Sequence, residues 1–278
     1  MTDAYTVAPS TGLFAFARRV DGATSDFEII VINGDGTGAT NLTNDPALDG
    51  DPQWSPNGSK IAFQSRRSDG LGDIFVMNAD GSNPVNLTKN PDAFELHPTW
   101  SPDGAKIAYM NRTPFDQIFV INADGTNNTF IAGTENANAG FPSWSPDGTK
   151  IAFATTRDDN AEIYVMNADG SNPVNLTRSS GFDLEPVWSP DGTKIAWFTM
   201  RDGNGEIYVM NADGSNPVNV TRHPALDRLG GWSPDGRSLV FSTDRDGDDE
   251  IYVTTIDGIF VRRVTVNAAE DLSPTWRR

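Results

Sequence analysis

Trp144-Ser-Pro-Asp-Gly-Thr-Lys-Ile-Ala-Phe153, then Glu162-Ile-Tyr-Val-Met-Asn-Ala-Asp-Gly170, then Val174-Asn-Leu-Thr177 make up one unit that the chain writes again and again. Its tryptophan recurs as Trp54, Trp100, Trp144, Trp188, Trp232 and Trp276, at one interval of 46 residues followed by four of 44. A fixed period of this length marks a repeat architecture in which each unit buries its apolar surface against its neighbours. Within a unit the apolar segments are short, rich in β-branched and aromatic residues, and separated by Gly, Asn and Asp, which tolerate hairpin-turn conformations. Four such segments predict a four-stranded antiparallel meander. In Glu162-Ile-Tyr-Val-Met166 both alternating sets, Ile163/Val165 and Tyr164/Met166, are apolar. A strand buried on both faces is expected where each sheet packs between two others.

The chain ends give the count. The last repeat stops at Pro274-Thr-Trp-Arg-Arg278, with only the first strand of a unit written. Gly12-Leu-Phe-Ala-Phe16, Glu28-Ile-Ile-Val-Ile-Asn33 and Asn41-Leu-Thr43 supply the other three. Five complete units plus one shared between the termini predict a closed ring: an all-β, six-bladed β-propeller of four-stranded antiparallel blades. The strand near residues 272 to 276 should pair beside residues 13 to 17, which removes an open edge. The whole chain, 1-278, reads as one domain.

Composition narrows the function. A formal net charge of −17 leaves no basic patch to replace phosphate counterions, which argues against nucleic acid and against insertion into anionic membranes. Cations and basic partners suit it. With no cysteine, thiol catalysis, disulfides and Cys-based zinc sites are excluded. The start, Met1 to Tyr5, has neither the basic nor the apolar region of a signal peptide, so the chain as written reads as unexported.

Trp-Ser-Pro-Asp-Gly-x-Lys-Ile-Ala-Phe, the [Asp/Glu]-Ile-[Tyr/Phe]-Val-Met-Asn-Ala-Asp-Gly segment and Asn-Leu-Thr resemble the repeat of TolB-type (WD40-like) β-propellers, over residues 12 to 276. The resemblance implies that the Trp-bearing strand is innermost. It also implies a bacterial, periplasmic or secreted setting and a binding role, with a protein or small ligand at the mouth of the central channel. Similar repeats occur in prolyl-oligopeptidase-like enzymes and oligogalacturonate lyases, so a carbohydrate-active or peptidase-associated propeller is an alternative. A self-assembling structural propeller, monomeric or assembled by cations, is another.

Five residues before each Trp stand Asp49, Glu95, Ala139, Asp183, Asp227 and Asp271; two residues later come Asp51, His97, Phe141, Glu185, Leu229 and Ser273. With the Trp strand innermost, sixfold placement would gather Asp49, Asp51, Glu95, Asp183, Glu185, Asp227 and Asp271 around one axis. Mutual repulsion there is relieved by protonation or by a cation, and hard oxygen ligands favour calcium or magnesium. No cofactor is required. The pairs Arg157/Glu162, Arg201/Glu206 and Arg245/Glu250 predict cross-strand ion pairs. The loop Asp244 to Glu250 is acid-rich, but its Gly falls at the fourth position and not the sixth of an EF-hand. The Ser-Pro-Asp-Gly acids read as turn formers, the sequons at Asn86, Asn175 and Asn219 as parts of a strand, and each Trp as a wedge whose indole N–H needs a partner. Catalysis finds little: His97 and His223 lie on different repeats, and no Gly-x-Ser-x-Gly elbow occurs. A non-enzymatic binding propeller is the expectation.

Overall fold

The computed structural model describes residues 12–20, 27–68 and 71–277; Met1 to Tyr5, read above for a leader, lie outside them. The described strands form six four-stranded antiparallel sheets, and no helix occurs among the described residues. Five sheets follow the chain from inner to outer strand. In the blade of Trp188, for example, the strands are Asp183–Trp188, Lys194–Thr199, Glu206–Asn211 and Val218–Asn219.

The sixth sheet is the seam. Its inner strand, Asp271–Trp276, pairs with Leu13–Arg19, which pairs with Phe27–Asn33 and then Thr40–Asn41. Phe14 sits opposite Trp276 and Arg18 opposite Asp271, the closure expected from the complementary chain ends. The Arg277 N–H extends the seam, donating to the Leu13 carbonyl at 2.8 Å.

The core lies between blades, one cluster per interface, which explains the doubly apolar third strands. In Glu206–Asn211, Tyr208 and Met210 pack with Trp188 and Trp197 against Ala152, Ile163 and Val165 of the preceding blade. Ile207 and Val209 point the other way, onto Trp232, Phe241 and Tyr252 of the next. Each tryptophan is a wedge in such an interface. The Trp100 indole donates to the Gln53 carbonyl at 3.1 Å and that of Trp232 to the Val187 carbonyl at 2.9 Å, each on the preceding inner strand. The indole N–H groups of Trp54, Trp144 and Trp188 are buried with no such partner among the described residues.

The polar repeat residues hold the turns. The Ser145 hydroxyl donates to Asp147 at 2.6 Å, and Asp147 also accepts from the Thr149 N–H at 3.0 Å. That network holds the Asp147 carboxyl below the ordinary range. The sequon residues are also occupied: the Thr221 hydroxyl donates to Glu206 at 2.6 Å while accepting from the Ile207 N–H at 3.0 Å. The Asn219 amide donates to Asp202 at 3.0 Å. The sequon therefore ties the outer strand to its own blade.

Candidate functional site

The six inner strands surround a channel of about 240 Å³. Their ladders break at the same place. In the Trp188 blade Asp183 pairs with Thr199 and Leu184 with Phe198, but the next pair is Val187 with Ala196, so Glu185 and Pro186 bulge out of the ladder. Asp51, His97, Phe141, Glu185 and Ser273 all occupy this position with left-handed backbones, φ between 49° and 54°. Proline follows each of the five, and having no N–H it leaves no ladder donor stranded. A bulge re-aims a side chain, and here all five residues line the channel. Left-handed backbone is costly for a non-glycine residue, and for Phe141 most of all. The Trp232 blade differs: it carries Leu229-Gly230-Gly231, keeps Leu229 paired with Phe241 and skips only Gly230. A Cβ on Gly231 would meet nothing within 4 Å, so that stretch of wall is open.

The lining is chemically lopsided. Asp51 accepts from the Ser273 hydroxyl at 2.9 Å and lies 3.1 Å from His97 Nδ1. The His97 ring lies 4.4 Å from that of Phe141. Glu185 has no hydrogen-bonding protein partner among the described residues. Burial deep in the channel pushes its carboxyl up to about 7; the charge of Asp51 adds to the shift and that of Arg228 opposes it. Arg228 itself is held by Asp249 at 3.1 Å.

The other sequence-predicted acids are elsewhere, and the expected ring does not form. Asp49, Glu95, Asp183, Asp227 and Asp271 are fully buried at the start of their strands and do not line the channel. Within their own blades Asp49 meets Arg67 at 2.6 Å, Asp183 meets Arg201 at 3.0 Å, Asp227 meets Arg245 at 2.9 Å and Asp271 meets Arg18 at 2.7 Å. The physical reason is the bulge: regular alternation would point residues two apart the same way, but the left-handed bulged residue breaks it and turns to the channel, while the residue two before it, still in the ladder, turns into the blade. Among the described residues no three His, Asp or Glu side chains converge as a metal-binding group. Of the seven acids, only Asp51 and Glu185 reach the channel.

The same contacts correct the expected Arg–Glu pairs. Arg201 and Arg245 turn back over the aromatic pairs Trp197/Tyr208 and Phe241/Tyr252, to within 4.9 to 5.2 Å of the ring centres, and end on the inner-strand aspartates. Glu206 instead accepts from the Thr221 hydroxyl, and Glu250 pairs with Arg263 at 2.7 Å. In the acidic loop Asp244 accepts from the Leu226 N–H at 3.0 Å, so this carboxylate serves the fold. His97 lies in the channel wall, whereas His223 Nδ1 accepts from the Ala225 N–H at 3.1 Å in a loop of another blade.

The Trp100 blade has no arginine for its acid. Arg112 pairs with Asp116 instead, and Glu95 receives a bond from the Asn111 amide at 3.3 Å, its Oε2 having no partner among the described residues. Burial pushes Glu95 up to about 7, with the nearby charge of Asp73 adding to the rise. A carboxyl raised in the folded state is no burden below the ordinary glutamate pKa and destabilises increasingly as pH rises from about 4.5 to about 7. Glu95→Gln should therefore melt near wild type at pH 4.5 and above it at pH 8. Melting curves across this range check the sign; a variant less stable at pH 8 than at pH 4.5, relative to wild type, contradicts it.

A six-bladed propeller with a bulge-lined central channel defines the class. The TolB beta propeller domain family model matches residues 72–222 and 188–278, and the chain belongs to that family. TolB from Acinetobacter baumannii superposes with a TM-score of 0.85 at 19% identity, over 98% of this chain and 68% of that one. A putative TolB from Agrobacterium tumefaciens gives 0.73 at 22% identity, over 91% and 89%. An oligogalacturonate lyase solved in complex with manganese gives 0.64 at 17% identity, over 92% and 74%. At these identities the likeness is one of fold, and the fold serves both TolB proteins and an enzyme.

Proposed function

We propose that this protein is a binding propeller whose channel mouth takes a segment of a partner protein, with a basic side chain of that segment on Glu185. One observation carries the reading. The repeats are so alike that Ile163 to Asn175 recurs unchanged as Ile207 to Asn219, yet the channel-lining position three residues before each Trp holds six different residues: Asp51, His97, Phe141, Glu185 and Ser273 on bulges, and Leu229 in the ladder. Uniform blades with a varied lining suit a scaffold whose specificity resides in that lining. Loops and irregular backbone on a rigid frame are where binding residues concentrate. The occupant's chemistry follows from the wall. Glu185 offers a carboxylate with no hydrogen-bonding partner among the described residues, Phe141 offers apolar surface with the edge of the mostly buried Leu229, and the net charge of −17 draws cations toward the molecule. The TolB structures among the similar folds favour binding over catalysis, and the placement of His97 and His223 on separate blades fits this.

Random peptides displayed on phage and selected on the immobilised protein test the proposal. Selection should enrich peptides carrying Lys or Arg beside an apolar residue, and Gly231→Phe, which fills the open wall, should lose them. Glu185→Gln should retain apolar preference but lose the basic one. Enrichment that survives Gly231→Phe unchanged, or that requires added calcium and no basic residue, overturns it.

A further inference from the structure

Three blades build the same buried carboxylate site from three parts. A hydroxyl on the second strand, an arginine two residues beyond it and an inner-strand aspartate come together: Ser65, Arg67 and Asp49; Thr199, Arg201 and Asp183; Thr243, Arg245 and Asp227. The arginine Nε donates to the hydroxyl oxygen at 2.8, 3.2 and 3.3 Å in turn. The arginine Nη2 in turn donates to the aspartate, at 2.6 Å to Asp49 and 2.9 Å to Asp227.

The Trp144 blade keeps two of the three parts. Ala139 stands opposite Thr155 as Asp183 stands opposite Thr199. Arg157 lies 4.8 Å from the Tyr164 ring centre, as Arg201 lies 4.9 Å from that of Tyr208, so the guanidinium occupies the corresponding place. What is missing is the carboxylate. Arg157 is exposed and forms no ion pair among the described residues, whereas the side chains of Arg201 and Arg245 are 19% and 12% exposed beneath theirs. Thr155 is 2% exposed, and its Oγ1, buried, has no hydrogen-bond partner among the described residues. A buried hydroxyl without a partner is destabilising, so two groups, the hydroxyl and the guanidinium, are left short of the same ligand.

We propose that the Trp144 blade binds a carboxylate from outside the chain, held by the Arg157 guanidinium and the Thr155 hydroxyl where the other blades place their own aspartate. Charge-assisted guanidinium–carboxylate bonds are among the stronger polar contacts, and the Phe153 and Tyr164 rings fix the guanidinium for them. The carboxylate can be a free small acid or an aspartate of a bound protein; the chemistry is shared.

The test titrates acetate and, separately, N-acetyl-aspartyl amide at constant ionic strength against chloride, following the Arg157 Nε–Hε resonance and the melting temperature. Wild type should show a saturable shift at Arg157 and a rise in melting temperature. A response to both ligands leaves a small acid sufficient; a response only to the aspartyl amide assigns the site to a protein side chain. Ala139→Asp supplies the carboxylate internally, so it should be more stable than wild type and unresponsive. Arg157→Gln, at an exposed position, should fold and be unresponsive. Asp183→Ala should create a second responsive blade at Arg201. No saturable shift with either ligand, a shift that persists in Ala139→Asp, or a ligand-dependent rise in melting temperature that persists in Arg157→Gln, overturns the proposal.

Discussion

Truncation after Glu270 should abolish the cooperative fold and not merely trim an end. The eight residues removed include the whole inner strand of the seam blade. Trp276 leaves the cluster it shares with Phe14, Phe16, Ile32, Val240 and Val253, and the loss of one large buried aromatic costs about 3–5 kcal/mol. Arg18 loses Asp271, its 2.7 Å partner. The strand Leu13–Arg19 becomes an unpaired edge beside the channel, and the ring opens. These losses exceed about 5 kcal/mol together, comparable to the entire stability of many domains. Thermal unfolding followed by circular dichroism should show no cooperative transition, or one lowered by at least about 10 °C. A truncated protein melting with the full-length chain contradicts ring closure.

The second large effect is a contrast between blades. Arg201→Met leaves Asp183 fully buried and without its charge partner, with only the Trp197 indole among the described residues, at 3.1 Å, still donating to it. Removing one member of a buried ion pair costs roughly 3–5 kcal/mol, because the remaining charge is uncompensated. Arg157→Met, at the matching position of the Trp144 blade, strands no carboxylate, since Ala139 stands there. Its cost should stay within about 1 kcal/mol, the scale of an exposed cation resting on an aromatic ring. Chemical denaturation of the two variants checks this. Equal losses would mean that the arginines act by packing on the rings and not by neutralising aspartate.

The fold was readable because its cause is local and repeated. The two apolar faces of Glu162 to Met166, turn residues at fixed offsets and the complementary ends around Phe14 and Trp276 each specify one feature of the ring. The site was less readable. Asp49, Asp183, Asp227 and Asp271 occupy equivalent positions, but equivalence says only that they face the same way, not which way. Their direction is set by the bulge two residues later, which turns Glu185 into the channel and leaves Asp183 in the ladder. A signal for this was present: Asp49/Arg67, Asp183/Arg201 and Asp227/Arg245 are each 18 residues apart, whereas the Arg–Glu spacing of five drew attention to the hairpin. Where Ala139 replaces the acid, the arginine is retained as Arg157; where the acid is Glu95, the arginine is Arg112 and turns away to Asp116. The proline after Asp51, His97, Phe141, Glu185 and Ser273 fits the bulge without specifying it, because an inner strand is the edge of its sheet and an edge tolerates a residue without an N–H.

In the proposed reading Asp51 and Glu185, with His97, Phe141, Leu229 and Ser273, recognise the occupant of the channel, on a frame whose other inner-strand acids are sealed inside their blades. The most direct measurement is a crystal structure of the protein with a peptide selected on it. The basic side chain should lie within hydrogen-bonding distance of Glu185, with its neighbouring apolar residue against Phe141 or Leu229. A peptide seated on the outer strands, with the channel empty of it, would contradict the assignment of binding to the bulged ring.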